Sequence, residues 1–219
     1  MTTPLKIDFV SDIACPWCAV GLGALEQALD VLHDEVQADL HFQPFELNPR
    51  MPAGGQDLFE HLHQKYGSSK EQQAQMYQNI KARGEEVGFA FPPTGRGRIF
   101  NTFDAHRLLH WAEVCGEPGA QIRLKKAFLQ AYQGRGEAIE SHEVLLNIVQ
   151  SLDMDTEAAR AVLNSEAYAQ DVRDKENFYT NAGIHSVPAI IINDRHLISG
   201  GQPTQVFIQA LRDIAKQTV

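Results

Sequence analysis

Cys15 and Cys18 are the residues of this sequence whose type and spacing best suit chemistry, and they enclose a proline and a tryptophan in Cys15-Pro16-Trp17-Cys18. The motif follows an apolar run over residues 5–10 and precedes a helical pattern. Proline has no N–H and its fixed φ suits a first helical turn. We therefore predict a helix that begins at Pro16, with Cys15 at the N-cap and Cys18 one turn along, within disulfide range.

A helix N-terminus changes the acidity of a thiol placed there. Free backbone N–H groups and the positive end of the helix dipole favour negative charge at an N-cap. The pKa of Cys15 should therefore lie below the value of about 8.5 of a free cysteine, as in other Cys-x-x-Cys sites, where it ranges from roughly 3.5 to about 7. The thiolate is a nucleophile, and Cys18 can close and open a disulfide with it.

Composition restricts the class of protein in which this pair acts. The chain has 219 residues, three cysteines and a formal net charge of −9. Three cysteines do not build a disulfide framework, and an acidic chain without a long basic run does not suit nucleic acid. No segment has the length of a membrane span, and residues 1–9 lack the apolar core of a secretory signal. We expect a cytoplasmic monomer or homodimer with no membrane or nucleic-acid partner.

Hydrophobic periodicity predicts the elements that position the motif. A strand over residues 5–10, a helix from Trp17 to about His33 and a strand over residues 36–45 form a βαβ unit whose first strand ends at the cysteines. A turn-rich stretch, residues 48–54, ends this unit. Strands over residues 187–193 and 197–198 and a terminal amphipathic helix form a second unit at the other end of the chain.

Helices alone are predicted between these two units. Ser68 and Glu71 resemble a capping box, and a long helix is predicted over residues 165–182. Further N-caps are predicted at Asn101, Ser141 and Asp155. The terminal helix should bury Val206, Phe207, Ala210, Leu211 and Ile214.

This order of elements resembles the thioredoxin-like superfamily, and the helices between its halves resemble the DsbA-like branch. Residues 11–18, 101–107 and 199–203 are similar to segments of FrnE-like dithiol-disulfide oxidoreductases. The resemblance implies an α/β, thioredoxin-like fold (βαβ plus ββα) with a large all-helical insertion. The thioredoxin-like domain would be discontinuous, over residues 1–49 and 165–219, and the insertion domain would cover residues 50–164.

The resemblance also implies a role for each residue of the motif. Cys15 would be the attacking thiolate and Cys18 the resolving cysteine of a thiol–disulfide exchange, with Pro16 and Trp17 shaping the site. Val187 and Pro188 would face them, with Pro188 cis. No cofactor is then required beyond the Cys15–Cys18 disulfide, and glutathione is a candidate co-substrate. The partner would be a protein or small molecule that carries a thiol or disulfide.

Asp8, Trp17 and Cys115 each allow two interpretations. Asp8 could lie beneath the motif and act as a proton shuttle for Cys18, or be an ordinary edge aspartate. Trp17 could contact substrate or pack on the helical insertion. Cys115 ends a predicted helix, where a lone cysteine is most often a small buried hydrophobe, and a third redox role is the alternative.

Metal and anion sites are weaker hypotheses. The cysteine pair could be half of a zinc site, but a closed site needs four ligands and no second pair has matching spacing. We therefore predict no metal. His106 and His110 could chelate an ion, although a hydrogen-bonded pair on a helix face is the simpler interpretation. Arg96, Arg98 and Arg107 could meet an anionic substrate, although a solvated loop is the simpler explanation.

Glutathione-dependent isomerases of the 2-hydroxychromene-2-carboxylate type and kappa-class glutathione transferases are the alternative class, because they are similar in fold and insertion. Those enzymes normally have serine where Cys15 stands and an acidic residue in the loop before the last helix. This chain has Gly201-Gln202-Pro203 in that loop, and both departures argue against that class. Trp17 stands where periplasmic DsbA has a histidine, which favours reduction or isomerisation over strong oxidation.

Overall fold

A mixed β-sheet organises the fold. The computed structural model describes residues 2–217, and within them a sheet of four strands has the order β2-β1-β5-β6. Its strands are β1 (Thr3–Ser11), β2 (Val36–Pro44), β5 (Ala189–Ile192) and β6 (His196–Ser199). β1 pairs in parallel with β2 and antiparallel with β5, which pairs antiparallel with β6. β1 is therefore interior, and its carboxyl end leads to the cysteine motif.

Helices cover both faces of the sheet and fill the chain between β2 and β5. They are α1 (Pro16–Val31), α2 (Leu58–Tyr66), α3 (Lys70–Glu86), α4 (Phe103–Cys115), α5 (Ala120–Leu129), α6 (His142–Ser151), α7 (Thr156–Leu163), α8 (Ala169–Asn181) and α9 (Thr204–Gln217). A π-helical turn, Gln130–Gly134, continues α5, and β3 (Gln56–Asp57) pairs with β4 (Arg98–Ile99). The predicted α/β class and the helical insertion are confirmed, and the short β3–β4 pair is an addition to them.

The side chains of β1 alternate between two hydrophobic clusters. Ile7 and Phe9 are fully buried in the cluster that α1 and α9 cover, which also contains Cys15 and Cys18. We call this the α1 face of the sheet. Val10 packs on the opposite side against Tyr179 of α8, and we call that the α8 face. Because side chains alternate along a strand, Asp8 belongs to the same face as Val10.

A third cluster joins α4, α5, α6 and α7. It centres on the fully buried Leu108, Leu124 and Tyr132, and it includes Ile13 and Ala14 from the loop before the cysteine motif. The loop that carries the motif is therefore held by the helices of the insertion as well as by the sheet.

The structure corrects several predicted helix starts. Ser69 and Gln72 form the capping box of α3, because the hydroxyl of Ser68 donates to the Leu62 carbonyl instead. Thr102 is the N-cap residue of α4, whereas Asn101 accepts a hydrogen bond from the N–H of Phe103.

Two further predictions about the C-terminal third are also wrong in part. The long helix predicted from residue 165 begins at Ala169, since the chain first turns around Arg107, which donates to the carbonyls of Ser165 and Ala167. On α9, Val206 is 42% exposed and Ile208 is buried in its place.

Within residues 2–217, no helix is long and apolar enough to cross a membrane.

Candidate active site

The cysteine motif forms the first turn of α1. Cys15 is the N-cap residue with an extended backbone (φ −92°, ψ 114°), and the helix begins at Pro16, as predicted. Both cysteines are free thiols, with Cys15 4% exposed and Cys18 fully buried. Cys15 Sγ donates a hydrogen bond to the carbonyl oxygen of Val187 at 3.5 Å. Of the two thiols, Cys15 is therefore the one that solvent reaches.

A loop from the far end of the chain faces this turn. The Val187–Pro188 peptide bond is cis, as the family resemblance implies. The carbonyl oxygen of Pro188 accepts a hydrogen bond from the N–H of Gly200 at 2.8 Å. A Cβ on Gly21 would lie 3.0 Å from Pro188 Cγ, and one on Gly201 would lie 3.0 Å from the carbonyl oxygen of Trp17. Glycine at both positions lets the three segments approach each other.

The two thiols have opposite acidities. The pKa of Cys15 is lowered, first because the Cys18 thiol donates a hydrogen bond to it and then because the N–H groups of Cys18 and Trp17 face the sulfur. Burial and the charge of Asp12 oppose this shift. Burial raises the pKa of Cys18, and the contact with Cys15 raises it further. Cys15 therefore ionises first, although its partner thiol contributes more than the helix end that the sequence suggested.

Asp12, which sequence reasoning did not single out, organises the loop before the motif. Its Oδ1 accepts from the N–H of Ala14 at 3.0 Å and from the Thr102 hydroxyl at 2.8 Å, and its Oδ2 accepts from the N–H of Leu47 at 2.7 Å. His106 Nε2 lies 3.5 Å from Oδ1. Burial favours the neutral acid, but these donors, His106 foremost, hold the pKa of Asp12 below its usual value. The carboxylate of Asp12 is thus negatively charged, and hydrogen bonds to both of its oxygens fix its position.

Asp8 does not lie beneath the motif, and the structure corrects that prediction. The carboxylate is 2% exposed and belongs to the α8 face, where Gln43 Nε2 donates to it at 2.6 Å and Lys6 Nζ lies 3.0 Å away. Burial, and after it the charge of the nearby Asp8, raise the pKa of Tyr179 on this face. The sheet itself separates Asp8 from Cys18, so a proton shuttle between them has no support.

Lys125 of α5 is a buried ionisable side chain whose positive charge acts to lower the pKa of Cys18. It is fully buried, and burial lowers its pKa to about 8, against the negative charges of Cys18, Asp12 and Cys15. Sequence reasoning missed it because a lysine in an amphipathic helix is ordinarily solvent-exposed. The sequence did contain a signal for this burial. Lys125 lies three residues after Ile122 and four before Leu129, so it shares a helix face with two apolar residues.

The structure shows what surrounds Trp17 and Cys115. Trp17 is half-buried, its ring lies against Gly201 of the loop before α9, and it packs on the cluster of the α1 face, which also contains Leu129 of the insertion. Cys115 is exposed, with its Sγ 3.2 Å from the Tyr168 hydroxyl, so the prediction of a buried hydrophobe is wrong.

The arginines and histidines form internal contacts. Arg107 is buried and binds Asp104 and carbonyl groups, Arg98 donates to the carbonyls of Gly54 and Gly55, and Arg96 donates to Gln133. His110 meets the Tyr168 ring edge-on. Across the described part of the chain, no three His, Cys, Asp or Glu side chains are grouped closely enough to hold a metal ion.

Comparison with known proteins places this geometry in a family. The probable DsbA oxidoreductase SCO1869 from Streptomyces coelicolor is similar in structure, with a TM-score of 0.87, 32% identity and coverage of 97% of this chain and 90% of that one. The uncharacterized protein YwbO of Bacillus subtilis strain 168 is 27% identical over 221 residues, which are 99% of this chain and 100% of that protein.

A more distant likeness concerns the fold alone. The cytosolic disulfide reductase DsbM from Pseudomonas aeruginosa, solved with GSH, has a TM-score of 0.66 at 15% identity, covering 96% of this chain and 99% of that one. The family model of the DSBA-like thioredoxin domain matches residues 6–212. Since this match includes both motif cysteines, the helices between the two halves of the sheet and the cis-proline loop, the chain belongs to the DSBA-like thioredoxin domain family.

Proposed function

We propose that this protein is a dithiol–disulfide oxidoreductase that acts by thiol–disulfide exchange through Cys15 and Cys18. The observation that carries the proposal is the geometry of the pair: Cys15 is the N-cap residue of α1 beside the cis Val187–Pro188 bond, and Cys18 is fully buried one turn along. The lowered pKa of Cys15 and the raised pKa of Cys18 agree with Cys15 as the nucleophile. The same assignment fits the FrnE-like resemblance of the motif segments. The domain model supports the oxidoreductase class more broadly.

The exchange proceeds in two displacements. The Cys15 thiolate attacks one sulfur of a substrate disulfide, the substrate S–S bond breaks, and the first substrate sulfur leaves as a thiolate while a mixed disulfide forms. Cys18 then loses its proton and attacks Cys15 Sγ, which releases the second substrate thiolate. The protein ends with a Cys15–Cys18 disulfide, oxidised by two electrons, and the substrate is reduced by two electrons.

The surface around Cys15 supplies a place for the substrate. Pro16, Trp17 and Val187 are each partly exposed around the nearly buried sulfur. The Val187 carbonyl, which accepts the Cys15 S–H in the resting protein, becomes available to a substrate N–H once Cys15 is a thiolate. We assign substrate contact to these residues and to the buried Pro188 behind them.

Reduction of client disulfides is the direction that we propose. Trp17 carries no positive charge that would stabilise the Cys15 thiolate, and a less stabilised thiolate corresponds to a less oxidising pair. Glutathione is the proposed thiol that returns the disulfide to the dithiol, supported by the fold likeness to a cytosolic reductase solved with GSH. A reducing, cytoplasmic setting follows from the same proposal.

Single substitutions test the mechanism in an insulin-reduction assay with glutathione as reductant. Cys15→Ser should abolish reduction because the nucleophile is lost. Cys18→Ser should leave the attack intact but stop resolution, so mixed disulfides should accumulate and be visible by mass spectrometry. Cys115→Ser is the matched control, since this exposed thiol lies outside the site, and it should keep wild-type activity.

Two results would contradict the proposal. Full reductase activity in Cys15→Ser would remove Cys15 from the mechanism. Glutathione-dependent turnover of an aromatic isomerase substrate that survives Cys18→Ser, with no insulin reduction in the wild type, would instead assign the protein to the glutathione-dependent isomerase class.

A further inference from the structure

The ε-amino group of Lys125 is the buried titratable group that the proposed mechanism has not yet used. Its helix, α5, places Ile122 and Leu129 against the cluster of the α1 face, which contains both cysteines. Residues three or four apart on a helix share a face, so Lys125 points in the same direction. Its Nζ lies 5.9 Å from the ring centre of Phe42, which belongs to that cluster.

The edge of the sheet fixes α5 in this position. The side-chain amide of Gln121 accepts a hydrogen bond from the N–H of Phe42 at 2.9 Å and donates one to its carbonyl at 3.0 Å. Both atoms of the amide are therefore used on one residue of β2. Lys125 lies one helical turn after Gln121, so the same contact fixes the position of Lys125 relative to β2.

Lys125 is not neutralised by an ion pair. Among residues 2–217, no protein atom accepts a hydrogen bond from its Nζ. Asp12 has its oxygens occupied by other donors, and Asp8 lies on the opposite face of the sheet. An unpaired ammonium is costly in such a place, so burial lowers the pKa of Lys125 to about 8, and near neutral pH a larger fraction of this side chain than of an exposed lysine is the neutral amine with its free lone pair.

Lys125 lines a small cavity between α5, α4, α8 and the end of β2. It has a volume of about 10 Å³, close to what one water molecule requires. The nitrogen-bearing side chains of its lining are Gln43, His106, His110, Lys125 and Lys175. Lys175 is partly exposed on α8, so a proton taken up by Lys125 has a polar path towards solvent.

We propose that Lys125 receives the proton of the Cys18 thiol when Cys18 resolves the mixed disulfide. The inference rests on the proposed oxidoreductase function and adds the acceptor that this function lacks. The amine takes the proton and becomes ammonium, the Cys18 thiolate attacks Cys15 Sγ, the bond from Cys15 to the substrate sulfur breaks, and the substrate leaves as a thiolate. The ammonium later returns its proton through the cavity.

The charges around Lys125 change at the step where an acceptor is needed. The groups that face it are Cys15 and Cys18 of α1, Asp12 of the preceding loop, His106 and His110 of α4, and Lys175 of α8. The Cys15 thiolate favours the ammonium. Formation of the mixed disulfide consumes that thiolate, so Lys125 loses a favourable partner for its charge and is more readily neutral for the resolving step.

The test uses the chromogenic disulfide 5,5′-dithiobis(2-nitrobenzoate) in stopped flow, with Cys115→Ser as background. Attack by Cys15 releases one coloured thiolate and resolution by Cys18 releases the second, so the two steps are seen separately. Lys125→Met should leave the first phase unchanged and slow the second about 10²-fold at neutral pH, the usual effect of losing a proton acceptor. Its second phase should rise in proportion to hydroxide up to about pH 9, whereas the wild-type phase should level off above the Lys125 pKa of about 8.

Three variants complete the design. Lys126→Met is the matched control, because Lys126 is the next residue on α5 but is exposed and pairs with Glu26, and it should behave as the wild type. Lys125→Arg keeps a positive charge but cannot release a proton near neutral pH, so it should remain slow. Lys125→Gln replaces the Met variant if that variant does not fold.

The outcomes separate the two proposals. A second phase with wild-type rate and pH profile in Lys125→Met or Lys125→Gln overturns the inference, and so does rescue by Lys125→Arg, which would assign Lys125 a purely electrostatic effect. Absence of the first phase in the wild type overturns the oxidoreductase function itself.

Discussion

At the scale of single residues, the site depends on two thiols of opposite acidity, with the pKa of Cys15 lowered and that of Cys18 raised. The Cys18 thiol donates to Cys15 and is the first cause of the lowered pKa of Cys15, whereas the backbone N–H groups of the first turn contribute less. The nucleophile is thus prepared by the residue that later displaces its product. This dependence makes the acidity of Cys15 sensitive to the chemical nature of residue 18.

Replacing Cys18 should reveal that dependence in the pH profile of Cys15 alkylation by iodoacetamide, again with Cys115→Ser as background. The alkylation rate rises as pH increases through the pKa of Cys15, so a higher pKa moves the rise to higher pH. Cys18→Ala removes the donor and should move the profile upward, towards the value of about 8.5 of a free cysteine. Cys18→Ser retains a hydroxyl donor and should move it less. Identical profiles for all three proteins would assign the acidity to the helix terminus alone.

The sequence predicts the two cysteines and Pro188 because their signals are local or belong to a family motif. Asp12 and Lys125 could not be found in the same way. The hydroxyl donor of Asp12, Thr102, lies 90 positions away in the chain, and the burial of Lys125 depends on how α5 packs against β2. The prediction for Asp8 was wrong for a different reason. Alternation along β1 places Asp8 on the face opposite Ile7 and Phe9, and which of the two faces carries α1 and its cysteines depends on how the helices pack.

At the scale of elements, close approach of backbone segments shapes the site. The loop of Gly200 and Gly201 before α9 touches the first turn of α1, and Pro188 lies between them. Helix and strand types were predictable from periodicity. The starts of α1, α6 and α7 were predictable as well. Those of α3 and α4 were not, because neighbouring polar residues compete for a cap and tertiary contacts decide between them, as at Ser68 and Ser69.

Gly201→Ala should destabilise the protein by about 1 to 3 kcal/mol, the usual cost of overpacking. Its Cβ would lie 3.0 Å from the Trp17 carbonyl oxygen, and a backbone atom at the start of a helix cannot move aside freely. Gly97→Ala is the control, since a Cβ there meets nothing within 4 Å. Urea unfolding measures both free energies of unfolding. Equal stability of the two variants would show that the loop before α9 is not tightly packed on α1.

At the scale of the whole molecule, the hydrophobic clusters of the insertion and of the sheet each contain residues from the other part of the chain. Ile13 and Ala14 before the motif pack in the cluster of α4 to α7, while Leu129 of α5 packs on the α1 face with the cysteines. The boundaries at residues 1–49, 50–164 and 165–219 remain a prediction. Asp12 ties the two parts together, because its donors come from the segment after β2 and from both ends of the first turn of α4.

Acid should weaken this connection in a defined direction. The pKa of Asp12 is lower in the folded protein than in the unfolded chain, so its contribution to stability is complete above the unfolded value of about 3.9 and is lost as pH falls through the lower folded value. Asp12→Asn should lower the free energy of unfolding at neutral pH by about 1 to 3 kcal/mol. It should also flatten the loss of stability between about pH 5 and 2. Urea unfolding at each pH measures this free energy. If it falls with pH by the same amount in the wild type and in Asp12→Asn, Asp12 does not have this role.

The amide of Gln121 has a consequence beyond the placement of α5. β2 is an edge strand, and an edge strand presents unpaired N–H and C=O groups on which a strand of another molecule can add. At Phe42 both groups already bind the Gln121 amide, which acts there as a one-residue neighbouring strand. Helix α5, which carries Lys125, thereby also blocks the addition of another strand at Phe42. The same contact thus protects this edge of the sheet from aggregation.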